Sequence, residues 1–142
     1  MAQFTWTDDL CTGSSLIDVD HRGLVDMVNA LFQCMQSEED SDRVSKAMKD
    51  LIAYTREHFA REEAEMQRIQ YVAALAHRAD HTKLLKQLVE LKKMLDTGGR
   101  MNISAVADFL SGWLRNHIQS ADMKLAAALR QQHSCTPEAQ LH

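Results

Sequence analysis

Two pairs of residues stand four apart where chemistry is possible: His58 with Glu62, and His77 with His81. On an α-helix of 3.6 residues per turn, a four-residue step returns to within about 40° of the same face. Each pair therefore projects from one side of its helix, and both sides are otherwise apolar. Met48, Leu51 and Met66 share the first stripe; Leu84, Leu88 and Leu91 share the second. His21 falls on the stripe of Leu24, Val28 and Phe32, and His117 on that of Val106, Leu110 and Trp113. Five of the seven histidines thus face inward from four separate stretches, while His133 and His142 lie in or near the tail. A carboxylate buried among leucines costs several kcal/mol without a compensating partner. One cation, or two, supplies it.

Either pair alone is a weak signal, because i,i+4 pairs are commonly solvated helix support. Convergence from four stretches carries the reading. Five imidazoles plus carboxylate are too many donors for one tetrahedral zinc, and too rich in nitrogen for calcium or magnesium. Imidazole with carboxylate suits iron, copper or nickel, and a bridging carboxylate allows two ions. The zinc-protease H-E-x-x-H is absent, since Arg78 follows His77. The Glu-x-x-His pairs of carboxylate-rich di-iron bundles are absent as well.

The elements that must position these groups are helices. The single proline is Pro137, so nothing before it breaks a helix, and alternating β-branched and aromatic runs that would mark strands are few. Apolar residues recur at three- and four-residue steps in four stretches of about 18–28 residues. The first is expected to be capped by Asp18 and to end at Ser37–Asp40; the second opens near Ser41. The third runs from Ala74 to the Gly98-Gly99 pair, and the fourth opens near Ser104. This is the pattern of an all-α, up-down-up-down antiparallel four-helix bundle. It is preceded by an irregular N-terminal arm (residues 1–15, anchored by Phe4, Trp6 and Leu10), occupies residues 16–132, and is followed by a flexible tail, 133–142. In one straight helix, His58 and His77 would lie 19 residues, about 28 Å, apart. The chain must therefore reverse within residues 67–74.

Composition excludes several functions. Lys+Arg 16 against Asp+Glu 20 gives a net charge of −4 with no basic cluster, which argues against nucleic acid. No apolar run reaches the roughly 18–20 residues of a membrane span. The first residues have neither a basic nor an apolar region of a secretory signal. Three cysteines without a C-x-x-C give no disulfide framework. A cytoplasmic protein is expected.

Further segments complete a pattern. Trp6, I-D-x-D-H at Ile17–His21, H-F-x-x-E-E-x-x-M at His58–Met66, H-x-x-x-H at His77–His81 and W-L-x-x-H-I-x-x-x-D at Trp113–Asp122 occur in one chain. With this set the sequence resembles the hemerythrins, specifically the single-domain bacteriohemerythrins, over residues from about 4 to 131. The resemblance implies two iron ions per chain, one held by His77, His81 and His117 and the other by His21 and His58. Glu62, Asp122 and an oxo or hydroxo group would bridge them. It also implies that Leu24, Phe59, Trp113, Leu114 and Ile118 line an oxygen pocket. The implied function is reversible dioxygen binding for storage, transport or delivery to oxygen-requiring enzymes, without catalysis. The alternatives are an oxygen or redox sensor acting through a separate signalling partner, and a diiron enzyme acting on peroxide or nitric oxide. Asp122 needs one thing more. A five-residue step swings it about 140° from His117 on an ideal helix, so the fourth helix should be loosened there, most simply by a π-bulge.

Overall fold

The computed structural model describes residues 4–36, 41–97 and 103–134. Its helices are α1 (Ser15–Gln36), α2 (Ser41–Arg68), α3 (Ala74–Asp96), α4 (Ile103–His117) and α5 (Met123–Ser134). A π-helical turn, Ile118–Asp122, joins α4 to α5 with right-handed helical backbone at both junctions, so the three form one fourth rod. The result is the all-α four-helix bundle that the periodicity predicts. The expected stops at Ser37–Asp40 and Gly98-Gly99 lie outside the described residues. No described helix is long and apolar enough to cross a membrane.

The stripes face one another. Leu24, Val28, Leu31 and Phe32 of α1 are buried with Met48 and Leu51 of α2, Leu88 of α3, and Val106, Leu110 and Leu114 of α4. A smaller cluster of Ile17, Met66, Leu125 and Ala126 closes the bundle beside the α2–α3 turn, with Tyr71 and Ile69 against it. At about 25 cal/mol per Å² of apolar area removed from water, these contacts are the main force holding the four rods together.

The reversal between α2 and α3 falls at Ile69–Ala73, inside the expected window, and has no glycine. The Tyr71 N–H donates to the Met66 carbonyl and the Gln70 N–H to that of Gln67, while Gln70 takes φ 52°. This is a Schellman cap with glutamine in the left-handed position glycine usually fills. Tyr71 packing beside Met66 is the apolar contact that accompanies such caps.

At the other end of α1 the expected cap is corrected. The helix starts at Ser15, and Asp18 lies within its first turn. Its carboxylate reaches back to the arm instead, accepting from the Thr12 N–H at 2.9 Å and hydroxyl at 2.7 Å. Arg130 of α5 donates to the Thr12 carbonyl, and Phe4 exchanges two hydrogen bonds with the Asn29 amide. Phe4 and Leu10 are buried, and Trp6 is partly buried beneath the Arg22 guanidinium. From Phe4 onward the arm is therefore packed against the bundle.

Candidate metal centre

All seven residues singled out above converge. His21, His58, Glu62, His77, His81, His117 and Asp122 are buried in one region of the bundle interior. Their ligand atoms form two groups, each spanning no more than 4.8 Å. One contains His21, His58 and His117, the other His77 and His81; Glu62 and Asp122 belong to both.

Asp122 is the hub. Its Oδ1 stands 3.0 Å from His77 Nε2, while its Oδ2 contacts His21 Nε2 and lies 2.8 Å from His117 Nε2. The π turn makes this possible. The Met123 N–H bonds to the Ile118 carbonyl five residues back, and the Ser120 hydroxyl takes the Asn116 carbonyl at 2.5 Å, which loosens the regular ladder. The extra residue per turn brings Asp122 round to the face of His117. Glu62 Oε1 lies 2.9 Å from His81 Nε2 and 3.4 Å from His77 Nε2, and its Oε2 lies 3.1 Å from His58 Nε2.

The grouping of His117 differs from the one the resemblance implies. Its Nε2 leans to the Asp122 oxygen that His21 also contacts, which places it with His21 and His58. The ring itself stands between the halves, 5.5 to 6.2 Å from the other four imidazoles.

Charge sets the protonation balance. Burial pushes the Glu62 carboxyl up and the Asp122 charge adds to this, but the close imidazoles of His58, His77 and His81 outweigh both and hold it at about 2. Burial likewise raises Asp122, and the His117 charge with the close imidazoles of His117, His21 and His58 drives it well below the usual range. Burial lowers His58, yet the adjoining Asp122, Asp20 and Glu62 carboxylates raise it to about 11. His77 is raised to about 9 against burial by Asp122 and Glu62. The cluster thus holds anionic carboxylates that demand positive charge beside them.

Three of the five orphaned atoms on the cluster residues test whether a metal suits it. His58 Nε2, Glu62 Oε2 and His117 Nε2 are buried and lack a partner in hydrogen-bonding geometry. An unsatisfied buried polar atom costs about 1–3 kcal/mol, and all three belong to the group that shares Glu62 and Asp122. Imidazole nitrogens with shared carboxylates are the donor set of a transition metal such as iron.

Of the five candidate pocket residues, Phe59 and Trp113 contact ligand rings. Leu24, Phe59, Trp113, Leu114 and Ile118 are all buried. The Phe59 ring lies parallel to His81 with centroids 3.8 Å apart, and edge-on to His117 at 5.2 Å. Trp113 stacks on His117 at 6.5 Å and donates its indole N–H to the Leu84 carbonyl at 3.3 Å.

Two carboxylates were not singled out from the sequence. Asp20 accepts from His58 Nδ1 at 2.9 Å, and Glu63 from His81 Nδ1 at 2.9 Å. Such partners fix which ring nitrogen is left to bind a metal. Asp20 adjoins His21 and Glu63 adjoins Glu62, so both read as polar positions flanking a ligand.

The sequence profile of the hemerythrin HHE cation binding domain matches residues 12–129. This chain is a member of the hemerythrin family. It is 32% identical to a bacteriohemerythrin of Pseudomonas paraeruginosa over 130 residues, 92% of this chain and 84% of that one. It is 34% identical to a bacteriohemerythrin of Methylococcus capsulatus over 123 residues, 86% of this chain and 93% of that one. Among solved structures, wild-type hemerythrin superposes with a TM-score of 0.78 at 32% identity, covering 88% of this chain and 96% of that one. A leucine-to-alanine variant of hemerythrin gives 0.80 at 32% identity, covering 91% and 98%. Hemerythrin-family membership implies non-heme iron, and the buried histidine–carboxylate cluster is where this member could hold it.

Proposed function

We propose that this hemerythrin binds dioxygen reversibly at a pair of iron ions held by His21, His58, Glu62, His77, His81, His117 and Asp122. The observation that carries the reading is that Glu62 and Asp122 belong to both ligand groups, which suits two ions sharing two carboxylates. With Glu62 and Asp122 shared, the five histidines would divide three and two between the ions. When bound there, iron would supply the electrons for reversible dioxygen binding.

The chain's own residues supply the rest. Phe59, braced against His81 and His117, and Trp113, braced against His117, restrict how the imidazoles can turn. Leu24, Leu114 and Ile118 exclude water and so protect a small apolar ligand from protonation and loss. In this reading residues 16–132 are the oxygen-binding bundle between an arm (1–15) and a tail (133–142), with α1 and α5 reaching slightly past those bounds, to Ser15 and Ser134. The role is storage, transport or delivery of dioxygen to oxygen-requiring enzymes in the cytoplasm.

The test is iron content per chain together with the optical spectrum during cycles of oxygen and vacuum. Two irons per chain and a colour that appears and disappears reversibly are expected. Irreversible bleaching with accumulation of a reaction product would replace the carrier with an enzyme.

A further inference from the structure

One helix-interior glycine marks a support built behind the cluster. Gly23 sits within α1, where glycine costs about 1 kcal/mol relative to alanine. A Cβ there would stand 2.0 Å from the Tyr54 hydroxyl of α2, so only glycine admits the tyrosine. Tyr54 in turn lies beneath the Arg61 guanidinium, 5.8 Å from its centre. Arg61 grips Asp20 with two bonds of 2.8 Å, Nε to Oδ2 and Nη2 to Oδ1. The same Oδ2 accepts from His58 Nδ1 at 2.9 Å. Every polar atom of the Asp20 carboxylate is thereby fixed, and His58 is left with Nε2 as the atom directed at Glu62 and Asp122.

We propose that Asp20 and Arg61 are a positioning pair for His58: Asp20 orients the imidazole and lends it negative charge, and Arg61 both holds Asp20 and partly neutralises it. The inference rests on the metal-binding reading above. A carboxylate on the remote N–H makes a ligating histidine more basic and stabilises the more oxidised metal. The guanidinium opposes this, so the pair sets how readily the iron beside His58 gives up electrons. The Asp20 side chain is only 10% exposed, so bulk water screens it little, whereas the Glu63 carboxylate behind His81 is 32% exposed. The two halves of the cluster are consequently supported unequally.

The experiment compares the full chain with Asp20→Asn and Arg61→Met by cobalt(II) titration and, for the iron-loaded proteins, by spectroelectrochemical midpoint potential. Asp20→Asn is expected to weaken one of two cobalt equivalents about 10–100-fold and to raise the potential. Arg61→Met is expected to lower the potential. Opposite shifts are the signature, because a merely structural defect would not separate the two variants by sign. Should Asp20→Asn fail to fold, Arg61→Met carries the test alone, since the Arg61 side chain is 40% exposed and Asp20 keeps its bond to His58; a lowered potential then supports the pair, and an unchanged or raised one overturns it. Shifts of the same sign, or variants indistinguishable from wild type while wild type takes up two ions, overturn the positioning role alone. A wild-type chain that takes up neither cobalt nor iron overturns it together with the function proposed above.

Discussion

Deleting one residue from the π turn should leave the ligand cluster standing. Ser120 is exposed and lies between His117 and Asp122. Straightening the turn with all its residues present would place Asp122 about 140° from His117, a displacement of about 4 Å at the Cα radius. That exceeds the 2.8 and 3.0 Å that now separate its oxygens from His117 and His77. Removing Ser120 shortens the step from five residues to four, which brings the aspartate to within about 40° of His117 with a rise of about 6 Å. The register of α5 against the bundle survives because the deletion removes the very residue the π turn had absorbed. An alanine inserted at the same point has no such compensation and turns Asp122 about 100° further round. Cobalt(II) titration of both variants checks this. The deletion should bind two equivalents within about tenfold of the wild-type affinity, short of what a lost outer partner costs, and the insertion should lose tight binding. A deletion as damaging as the insertion would refute the geometric reasoning.

Other perturbations have equally definite outcomes. Leu114→Ala removes a fully buried side chain; denaturant titration should give a loss of about 2–5 kcal/mol, and the oxygenated protein should autoxidise faster as water gains entry. Stripping the metal with a chelator should lower the melting temperature by about 10 °C, the equivalent of roughly 4 kcal/mol of binding in a chain of this size, measured by calorimetry before and after iron is restored. Gln70→Gly should raise stability by about 1 kcal/mol in the same assay, because glycine relieves the left-handed backbone at φ 52°. Gly23→Ala should cost about 1–3 kcal/mol by forcing Tyr54 aside, despite the better helix propensity of alanine.

How far these features can be read from sequence depends on whether one helix contains the signal. His58 with Glu62 and His77 with His81 are legible because both members of each pair obey one helical period, and their stripes name the core. Asp122 is not legible in that way, since its step from His117 breaks the period; only the resemblance identified it, and the π turn is what reconciles the two. Asp20 was missed for a different reason. Its partner His58 is 38 residues away on another helix, and neighbouring residues of one helix diverge by about 100°. The reversal at Ile69–Ala73 was required by distance but had no glycine to mark it, because Gln70 bears the strain. Asp18 has the residue type of a cap and the position of a first-turn acid, and the pull of Thr12 decided between them. The side of the cluster to which His117 leans depends on one side-chain torsion, which no spacing rule specifies.

The placement of the two tryptophans equips this protein with its own optical gauge. Trp113 lies against His117, so its emission should be quenched whenever a transition ion with visible absorption occupies the cluster. Trp6 is held on the arm beneath Arg22, where its light reports instead on whether the arm stays docked. Two indoles in such different surroundings let a single fluorescence trace separate loss of the metal from detachment of the amino-terminal segment.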